Sequence, residues 1–246
     1  MRCVSLLIAC VAAVLLAGCN HASGYPPAPV PRPTSVTGFA TLYSENCAAC
    51  HGANGQSGPA IDLANPEYQA LADDASLRKW ISKGMPGTEM PAFAESAGGM
   101  LTEAQIDALI TGMRREWSRP NAFGGATPPG YAQTQNGDVQ RGAATYKARC
   151  ASCHESSHQE ITGSDYLALT GDQALRSIIV AGRPDIGQPD WRHDAPGGRE
   201  APPLSAQEVD DIVSYLASLR GNSQPTPANA PTAQSTLPTA GRRSTP

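Results

Sequence analysis

Two short motifs carry most of the chemistry that this sequence can support. Residues 47–51 read CAACH and residues 150–154 read CASCH, so both are C-x-x-C-H. Two cysteines three positions apart at the end of a helix can form thioethers with the two vinyl groups of one haem, and the adjacent histidine can then bind the iron. We therefore predict two covalent haems, one held by Cys47, Cys50 and His51 and the other by Cys150, Cys153 and His154.

Other uses of the four cysteines fit the pattern less well. A four-cysteine zinc site needs its two pairs close in sequence, whereas these pairs lie far apart and each has its own histidine. A thioredoxin-like redox pair requires a βαβ context, and neither motif has one. Disulfides would leave the two histidines unexplained. Haem attachment is the use that explains both motifs.

The chain is an internal duplication. Tyr43 precedes Cys47 by four residues, as Tyr146 precedes Cys150. The corresponding regions are 38–118 and 136–220, each of about 80 residues and therefore small for a self-sufficient apolar core. Further matches at equal spacing are Leu77 with Leu175, Ile81 with Ile179, Gly84 with Gly182, Pro86 with Pro184, Pro91 with Pro189 and Phe93 with Trp191. Downstream, beyond an insertion in the second repeat, Leu101 matches Leu204.

The periodicity predicts an all-α fold class. Apolar residues recur at helical spacing over 38–50 and 75–84, and again over 139–152 and 172–181. Each region then ends in an amphipathic helix that opens with a capping box, formed by Thr102 with Gln105 and by Ser205 with Glu208. Long Gly/Pro-rich loops join these helices, and such loops are uncommon in a compact domain unless they wrap a ligand.

These features together resemble the class I cytochrome c family, as two domains in tandem. The resemblance covers both repeats, and its motifs are C-x-x-C-H, the tyrosine of the first helix, an M-P-x-F segment and the last helix. It implies a cytochrome c-like haem domain in each repeat, with the motif histidine as proximal ligand and haem filling the core. Haem as core filler agrees with an aromatic content of only 5%.

In the first repeat the family pattern is complete. The resemblance implies that Met90, followed by Pro91 and Phe93, is the distal ligand of the first haem. Met85 is the competing candidate, but it lacks the following M-P-x-F context. The resemblance further implies that the carbonyl of Pro59 accepts a hydrogen bond from the ring of His51 and fixes its tautomer.

The second repeat departs from this pattern, because Gln188 stands where Met90 stands in the first and no methionine follows Met113. It also has no proline between His154 and Gly171, so no partner for the ring of His154 is assigned. Three occupants of the sixth iron position stay open. Gln188 could bind through its amide oxygen, although an amide is a poor match for ferrous haem. His193 could bind instead and give a bis-histidine haem. The position could also be open or held by water.

The first 19 residues predict export. A single arginine precedes an apolar run that is too short for a membrane span, and Leu16-Ala17-Gly18-Cys19 resembles the lipobox of bacterial lipoproteins. Cys19 would then carry lipid, whereas a plain cleaved signal peptide is the alternative. The predicted domain order is a signal peptide at 1–19, a flexible tether at 20–37, haem domain one at 38–118, a Pro/Gly-rich linker at 119–135, haem domain two at 136–220 and a disordered tail at 221–246.

The function expected from these observations is electron transfer. A net charge of −4 excludes a basic nucleic-acid footprint. The expected protein is lipid-anchored at the periplasmic face of a bacterial membrane and passes single electrons between redox proteins or to a respiratory membrane complex, with tether and linker letting a domain swing between docking sites. One alternative is a dihaem peroxidase-like or small-anion-oxidising enzyme, in which Gln188 with Arg183 or Arg192 stabilises a substrate at an open second haem. A gas sensor is the third reading, but no signalling domain is recognisable.

Overall fold

The computed structural model describes residues 32–155, 160–162, 165–193 and 200–220. The predicted signal peptide, Cys19, most of the tether and the tail lie outside these residues. Within them the regular structure consists of α-helices and 3₁₀ turns, and the only backbone bridges are two isolated pairs, Ala94 with Leu101 and Arg183 with Gln188. The all-α prediction is confirmed.

The first repeat contains five of these helices. Their bounds are α1 Phe39–Asn46, α2 Ala48–His51, α3 Pro66–Leu71, α4 Asp74–Lys83 and α5 Glu103–Trp117, with 3₁₀ turns at Pro33–Ser35 and Glu95–Ala97. Helix α3 was not predicted, although its start carries a recognisable signal. Asn65 accepts hydrogen bonds from the backbone N–H of Glu67 and Tyr68, and Pro66 occupies the first helical position.

The second repeat has the same order of elements. Its helices are α6 Val139–Arg149, α7 Ala151–His154, α8 Asp165–Leu169, α9 Asp172–Ala181 and α10 Ala206–Leu219, with a 3₁₀ turn at Pro184–Ile186. Both predicted capping boxes are present, at Thr102 for α5 and at Ser205 for α10. The helical segments predicted from periodicity are therefore found in both repeats. The first segment of each repeat is divided into two helices at the first cysteine of the motif, Cys47 or Cys150.

The first and last helices of each repeat cross closely, and a glycine makes the crossing possible. On α5, a Cβ added to Gly112 would lie 2.2 Å from the ring of Phe39 on α1. In the second repeat the two residue types are exchanged. Gly142 takes the place of the phenylalanine on the first helix, and Tyr215 takes the place of the glycine on the last. One aromatic side chain thus fills the space beside one glycine in both repeats, but from opposite helices.

The predicted linker packs against both domains. Tyr131 packs against the core of the first repeat, whereas the Phe123 ring contacts the Trp191 ring of the second, with centroids 5.2 Å apart. The backbone carbonyls of Gly130 and Tyr131 accept hydrogen bonds from Arg176 and Gln173 on α9, at 2.9 and 2.8 Å. These contacts contradict the expectation that the segment leaves the two domains free to swing.

One ion pair occurs in both repeats but lies in different surroundings. In the first repeat Arg78 on α4 pairs with Asp107 on α5, and the side chains are 41% and 58% exposed. The equivalent pair in the second repeat joins Arg176 on α9 to Asp210 on α10, at 2% and 0% exposure. The difference arises because the linker crosses over Arg176 and accepts a hydrogen bond from its Nε through Gly130.

The described helices include none that is long and apolar enough to cross a membrane. The described part of the tether is packed as well, since Gln105 on α5 donates hydrogen bonds from its Nε2 to the carbonyls of Pro33 and Val36, both at 2.9 Å.

The two ion pairs give a matched test of burial. Asp210→Ala leaves the Arg176 guanidinium buried without its counter-charge and should cost about 3–5 kcal/mol of local stability. Asp107→Ala removes the equivalent exposed pair and should cost roughly 0.2–1 kcal/mol. Native-state hydrogen exchange of the haem-loaded protein, resolved by peptide, measures each cost in the amides of α10 and α5. Equal costs would contradict the role given to the linker.

Candidate haem sites

The C-x-x-C-H motif of the first repeat consists of Cys47, which follows α1, and the single helical turn α2. Helix α1 ends at Asn46 and Cys47 is its C-cap, with a backbone N–H that donates to the carbonyl of Tyr43 at 2.8 Å; α2 begins at the next residue. The backbone N–H of His51 donates to the carbonyl of Cys47 at 3.0 Å. The Tyr43 hydroxyl then donates to the carbonyl of Gly52 at 2.9 Å and holds the residue that follows the motif. Both cysteines and the histidine therefore lie on one fixed turn.

The motif of the second repeat has the same local geometry. Cys150 has φ −118° where Cys47 has −120°, and its backbone N–H donates to Tyr146 at 2.8 Å. The N–H of His154 donates to the Cys150 carbonyl at 3.0 Å. The buried hydroxyl of Tyr146 has no hydrogen-bond partner within the described part of the chain, unlike that of Tyr43.

The first cysteine of each motif does not have the lowered pKa of a reactive thiolate. None of the four forms a disulfide, and the first of each pair is partly buried against its own domain core. Burial, with a smaller effect of Cys50, raises the pKa of the Cys47 thiol to about 12, and burial raises the pKa of the Cys150 thiol to about 11. A thioredoxin-like cysteine would need a lowered pKa.

The ring of His51 is oriented by a backbone carbonyl. Its Nδ1 lies 2.8 Å from the carbonyl oxygen of Ile61, and because a carbonyl only accepts, Nδ1 carries the proton. The other ring nitrogen, Nε2, is then the one able to bind a metal. Burial lowers the pKa of His51, the bond to Ile61 opposes this, and the charge of Arg183 adds to the lowering.

The family resemblance implied that the carbonyl of Pro59 accepts from the ring of His51. That expectation is wrong, because the acceptor is the carbonyl of Ile61. The loop after His51 turns back onto the motif, where the N–H of Ala60 donates to the carbonyl of Cys50 at 2.9 Å. This bond brings the carbonyl one residue beyond Ala60 to the ring, whereas Pro59 is exposed.

Met90 lies in a short closed loop of the first repeat. Its carbonyl accepts from the N–H of Met85 at 3.0 Å, and its own N–H donates to Thr88 Oγ1 at 3.2 Å. Its side chain packs against the same core cluster as Cys47. Gly84 closes this loop with φ +68°, and a Cβ there would lie 2.7 Å from the Met90 carbonyl. Of the other methionines of this repeat, Met113 is buried in the core and Met100 is exposed.

The second repeat builds the same loop around Gln188. Its carbonyl accepts from the N–H of Arg183 at 2.9 Å, in the position where Met85 pairs with Met90. Gly182 closes the loop with φ +74°, and a Cβ there would lie 2.9 Å from the Gln188 carbonyl. The side-chain amide of Gln188 donates to the carbonyl of Ile178 at 3.3 Å. The predicted alignment of Gln188 with Met90 is thus confirmed by the backbone.

His193 lies beside the second motif, but its ring is engaged elsewhere. Nδ1 lies 2.7 Å from the carbonyl of Asp190, and Nε2 lies 3.4 Å from the carbonyl of Arg149, the residue before Cys150. Of the loop that follows His154, residues 156–159 and 163–164 lie outside the described part of the chain.

The residues present fit a c-type haem in each domain. Both domains supply two thiols three residues apart and an adjacent histidine on one turn. In the first, the ring nitrogen of His51 is left free by the bond to Ile61, and Met90 packs on the shared core as a soft second donor. In the second, the equivalent of that donor is an amide.

Sequence reasoning missed the contacts that join the two sites. Arg183 was considered only as a group for an open haem, yet its guanidinium is bound to Asp185 and to carbonyls of the first domain. Asn65 was not considered, although its amide donates to the carbonyls of Ala181 and Gly182. Two sequence signals point to these contacts. One is Asn65 before Pro66, and the other is the pair of charges at Arg183 and Asp185, since the equivalent positions of the first repeat carry no charge.

Comparison with known proteins agrees with this geometry. Residues 139–220 match the family model for cytochrome c, and residues 35–111 match the model for cytochrome c oxidase, cbb3-type, subunit III. The chain is 29% identical over 142 residues to the cbb3-type cytochrome c oxidase subunit CcoP of Azospirillum sp. (strain B510), which covers 51% of this chain and 41% of that protein. It is 29% identical over 183 residues to the cytochrome bc1 complex cytochrome c subunit of Mycobacterium tuberculosis (strain ATCC 25618 / H37Rv), covering 71% and 60%.

A shorter match concerns the dihydro-heme d1 dehydrogenase of Pseudomonas aeruginosa, which is 41% identical over 71 residues, or 28% of this chain and 13% of that protein. The chain thus spans less than two thirds of the length of each of these relatives. Two regions in tandem thus match cytochrome c family models, which agrees with two cytochrome c-like domains. Such domains imply covalently bound c-type haem, and two haems fit the two domains.

The glycine that closes the first loop gives a test of this site. Gly84→Ala adds a Cβ against Met90, Pro91 and Ala92 and should displace the loop. We expect loss of the thioether-to-iron charge-transfer band while both haems stay covalently attached. Gly87→Ala is the matched control, because φ is +76° there but no atom lies within 4 Å of the added Cβ. Retention of the band in Gly84→Ala would contradict the position given to Met90.

Proposed function

We propose that this chain is an exported dihaem c-type cytochrome that carries single electrons between redox partners of a respiratory chain. The observation that carries the proposal is the presence of two C-x-x-C-H turns of equal geometry in two cytochrome c domains. A bound haem supplies an iron that gains or loses one electron without an acid, a base or a nucleophile from the protein. The residues of the chain hold, orient and tune it.

In domain one we assign the haem to Cys47, Cys50 and His51, with Met90 as sixth ligand. The bond from His51 Nδ1 to Ile61 supports this assignment, since it fixes the tautomer that leaves Nε2 for iron. A thioether ligand opposite histidine raises the reduction potential, because it stabilises ferrous iron. With Met90 as a ligand, domain one would therefore hold the haem of higher potential.

In domain two we assign the haem to Cys150, Cys153 and His154, with Gln188 at the sixth position as a weak ligand at most. The loop geometry shared with Met90 supports this position. His193 is a poor candidate, because both of its ring nitrogens face backbone carbonyls. Unequal ligation separates the two potentials and gives electron flow through the chain a direction.

An enzyme at the second haem is less well supported. Arg183 is bound to Asp185 and to the first domain, so it is not available to stabilise a substrate beside Gln188. Arg192 is bound to Asp190 and to the carbonyl of Phe123, and its guanidinium lies 4.7 Å from the centre of the Trp191 ring. Each of the two cations that the enzyme hypothesis offers as alternatives, Arg183 or Arg192, is therefore engaged in structural contacts.

The partners we propose are redox proteins of a respiratory membrane complex. Two relatives are named as subunits of a cbb3-type oxidase and of a cytochrome bc1 complex. We further propose lipidation at Cys19 and attachment to the periplasmic face of a bacterial membrane, supported by the lipobox-like residues 16–19. Mass spectrometry of the membrane-bound protein tests the lipid, and a Cys19→Ser chain should be released from the membrane.

Exchanging the two distal residues tests the assignment of both haems. The fully reduced parent protein should bind about one CO per two haems, because Gln188 is a weak ligand. Gln188→Met should abolish CO uptake and add a second thioether-to-iron band. The converse variant, Met90→Gln, should bind CO at both haems. Optical titration measures the stoichiometry per haem. A parent protein that binds no CO would show that a strong ligand, with His193 the first candidate, completes the second haem.

A further inference from the structure

A buried polar junction joins the two domains. We call residues 182–188, the loop of domain two that Gly182 closes around Gln188, the distal loop. Arg183, which is 4% exposed, extends from this loop into domain one. Its Nη1 donates to the carbonyl of Ala60 at 2.9 Å and its Nη2 to the carbonyl of Gly58 at 3.1 Å. These carbonyls belong to the loop that follows His51, so a side chain of domain two is bound to the loop that orients the proximal histidine of domain one.

Asp185, from the same distal loop, binds both Arg183 and domain one. We call Arg183 and Asp185 together the clamp. Its two carboxylate oxygens accept from Arg183 Nε and Nη2, both at 2.8 Å, in a bidentate pair. One of them also accepts from the backbone N–H of Ser57 at 2.8 Å. The two side chains are 5% and 2% exposed, so solvent screens their charges little.

The other end of the loop is held by Asn65. Its side-chain Nδ2 donates to the carbonyls of Ala181 and Gly182, at 2.9 and 3.2 Å, and the residue is 2% exposed. Domain two therefore binds the loop 57–65 at both ends, and between them the Ile61 carbonyl accepts from His51. The buried Asp62 lies in the same loop, where its carboxylate accepts from the N–H of Asn65 at 2.9 Å.

The first repeat has no equivalent of this clamp. Met85 stands at the position of Arg183 and Gly87 at that of Asp185, so both charges are specific to the second repeat. Arg183 is also paired with Gln188 through two backbone hydrogen bonds of 2.9 Å. The same short loop thus presents the distal residue of domain two on one side and the clamp on the other.

We propose that Arg183 and Asp185 are positioning residues for the haem of domain one, and that the balance of their two charges helps to set its reduction potential. This inference rests on the proposed role of His51 as proximal ligand. A positive charge near a haem favours the ferrous state and a negative charge favours the ferric state. Removing either partner leaves the other uncompensated in a low-dielectric junction, so the two removals act in opposite directions.

The test compares Arg183→Gln with Asp185→Asn in the full-length, haem-loaded protein. A spectroelectrochemical titration followed through the thioether-to-iron band reports on haem one alone, because domain two contains no methionine. We expect the potential of haem one to fall in Arg183→Gln and to rise in Asp185→Asn. A tenfold change in the ratio of reduced to oxidised haem one corresponds to about 59 mV for a one-electron couple, and we expect shifts of that order.

Two controls separate charge from structure. Arg183→Lys keeps the charge and loses the planar fork, so the potential should stay nearer to that of the parent than in Arg183→Gln. Arg141→Gln removes a bidentate pair with Asp211 that lies within domain two, and it should leave haem one unchanged. If Arg183→Gln fails to fold, Asp185→Asn alone decides the sign: a rise in the potential of haem one, with Arg183→Lys near the parent, supports the inference, and no rise overturns it.

The outcomes distinguish this inference from the proposed function. A parent protein without the thioether band would overturn the assignment of Met90 and with it the basis of the inference. A parent with the band, but with variants whose potentials shift in the same direction or not at all, would overturn the role of the clamp alone. Shifts in opposite directions, with Arg141→Gln silent, would support it.

Discussion

The hydrogen bond from His51 Nδ1 to the Ile61 carbonyl is the contact on which the arrangement of this molecule depends. It requires the loop after the first motif to fold back on the histidine, and the loop lacks regular structure that would keep it there. Domain two supplies the missing support through Arg183, Asp185 and the carbonyls that bind Asn65. The loop that orients His51, in the predicted first haem site, is thus held by residues of the other repeat.

The two domains share the backbone geometry of their motifs, caps and loops but differ in the side chains that pack at the helix crossing. Turns at the cysteines, capping boxes and loop-closing glycines agree between repeats to within a few degrees or tenths of an ångström. The pair Phe39 and Gly112 became Gly142 and Tyr215, which preserves the helix crossing with the bulky partner on the opposite helix. A crossing needs one large and one absent side chain, and which helix carries which is free to change.

Features with a local cause could be predicted from the sequence, and features with a distant cause could not. The helices over the predicted segments and the two capping boxes depend on neighbours within a few residues, and the structure contains them. The short helices α3 and α8 were not predicted, because neither is long enough to show a helical period. The acceptor for His51 depends on how the loop path is fixed by the Ala60–Cys50 bond, and Pro59 was the wrong choice. The packing of 119–135 was missed because Pro and Gly content indicates an absence of helix, not an absence of contacts. The clamp joins residues more than a hundred positions apart, and no periodicity records it.

The cover over the buried pair of Arg176 and Asp210 lies in the linker, so domain two depends on residues that precede it in the chain. The pair is covered by Gly130 and its neighbours, which are synthesised before α9 and α10. Because synthesis runs from the N-terminus, Gly130 and its neighbours are already present when Arg176 and Asp210 are added, so domain two can bury the two charges under this cover. A gene fragment that begins after the linker would encode every predicted haem-binding residue of domain two, but it would omit Gly130 and its neighbours, which cover the buried ion pair. The boundary suggested by composition is therefore a poor place to cut this protein.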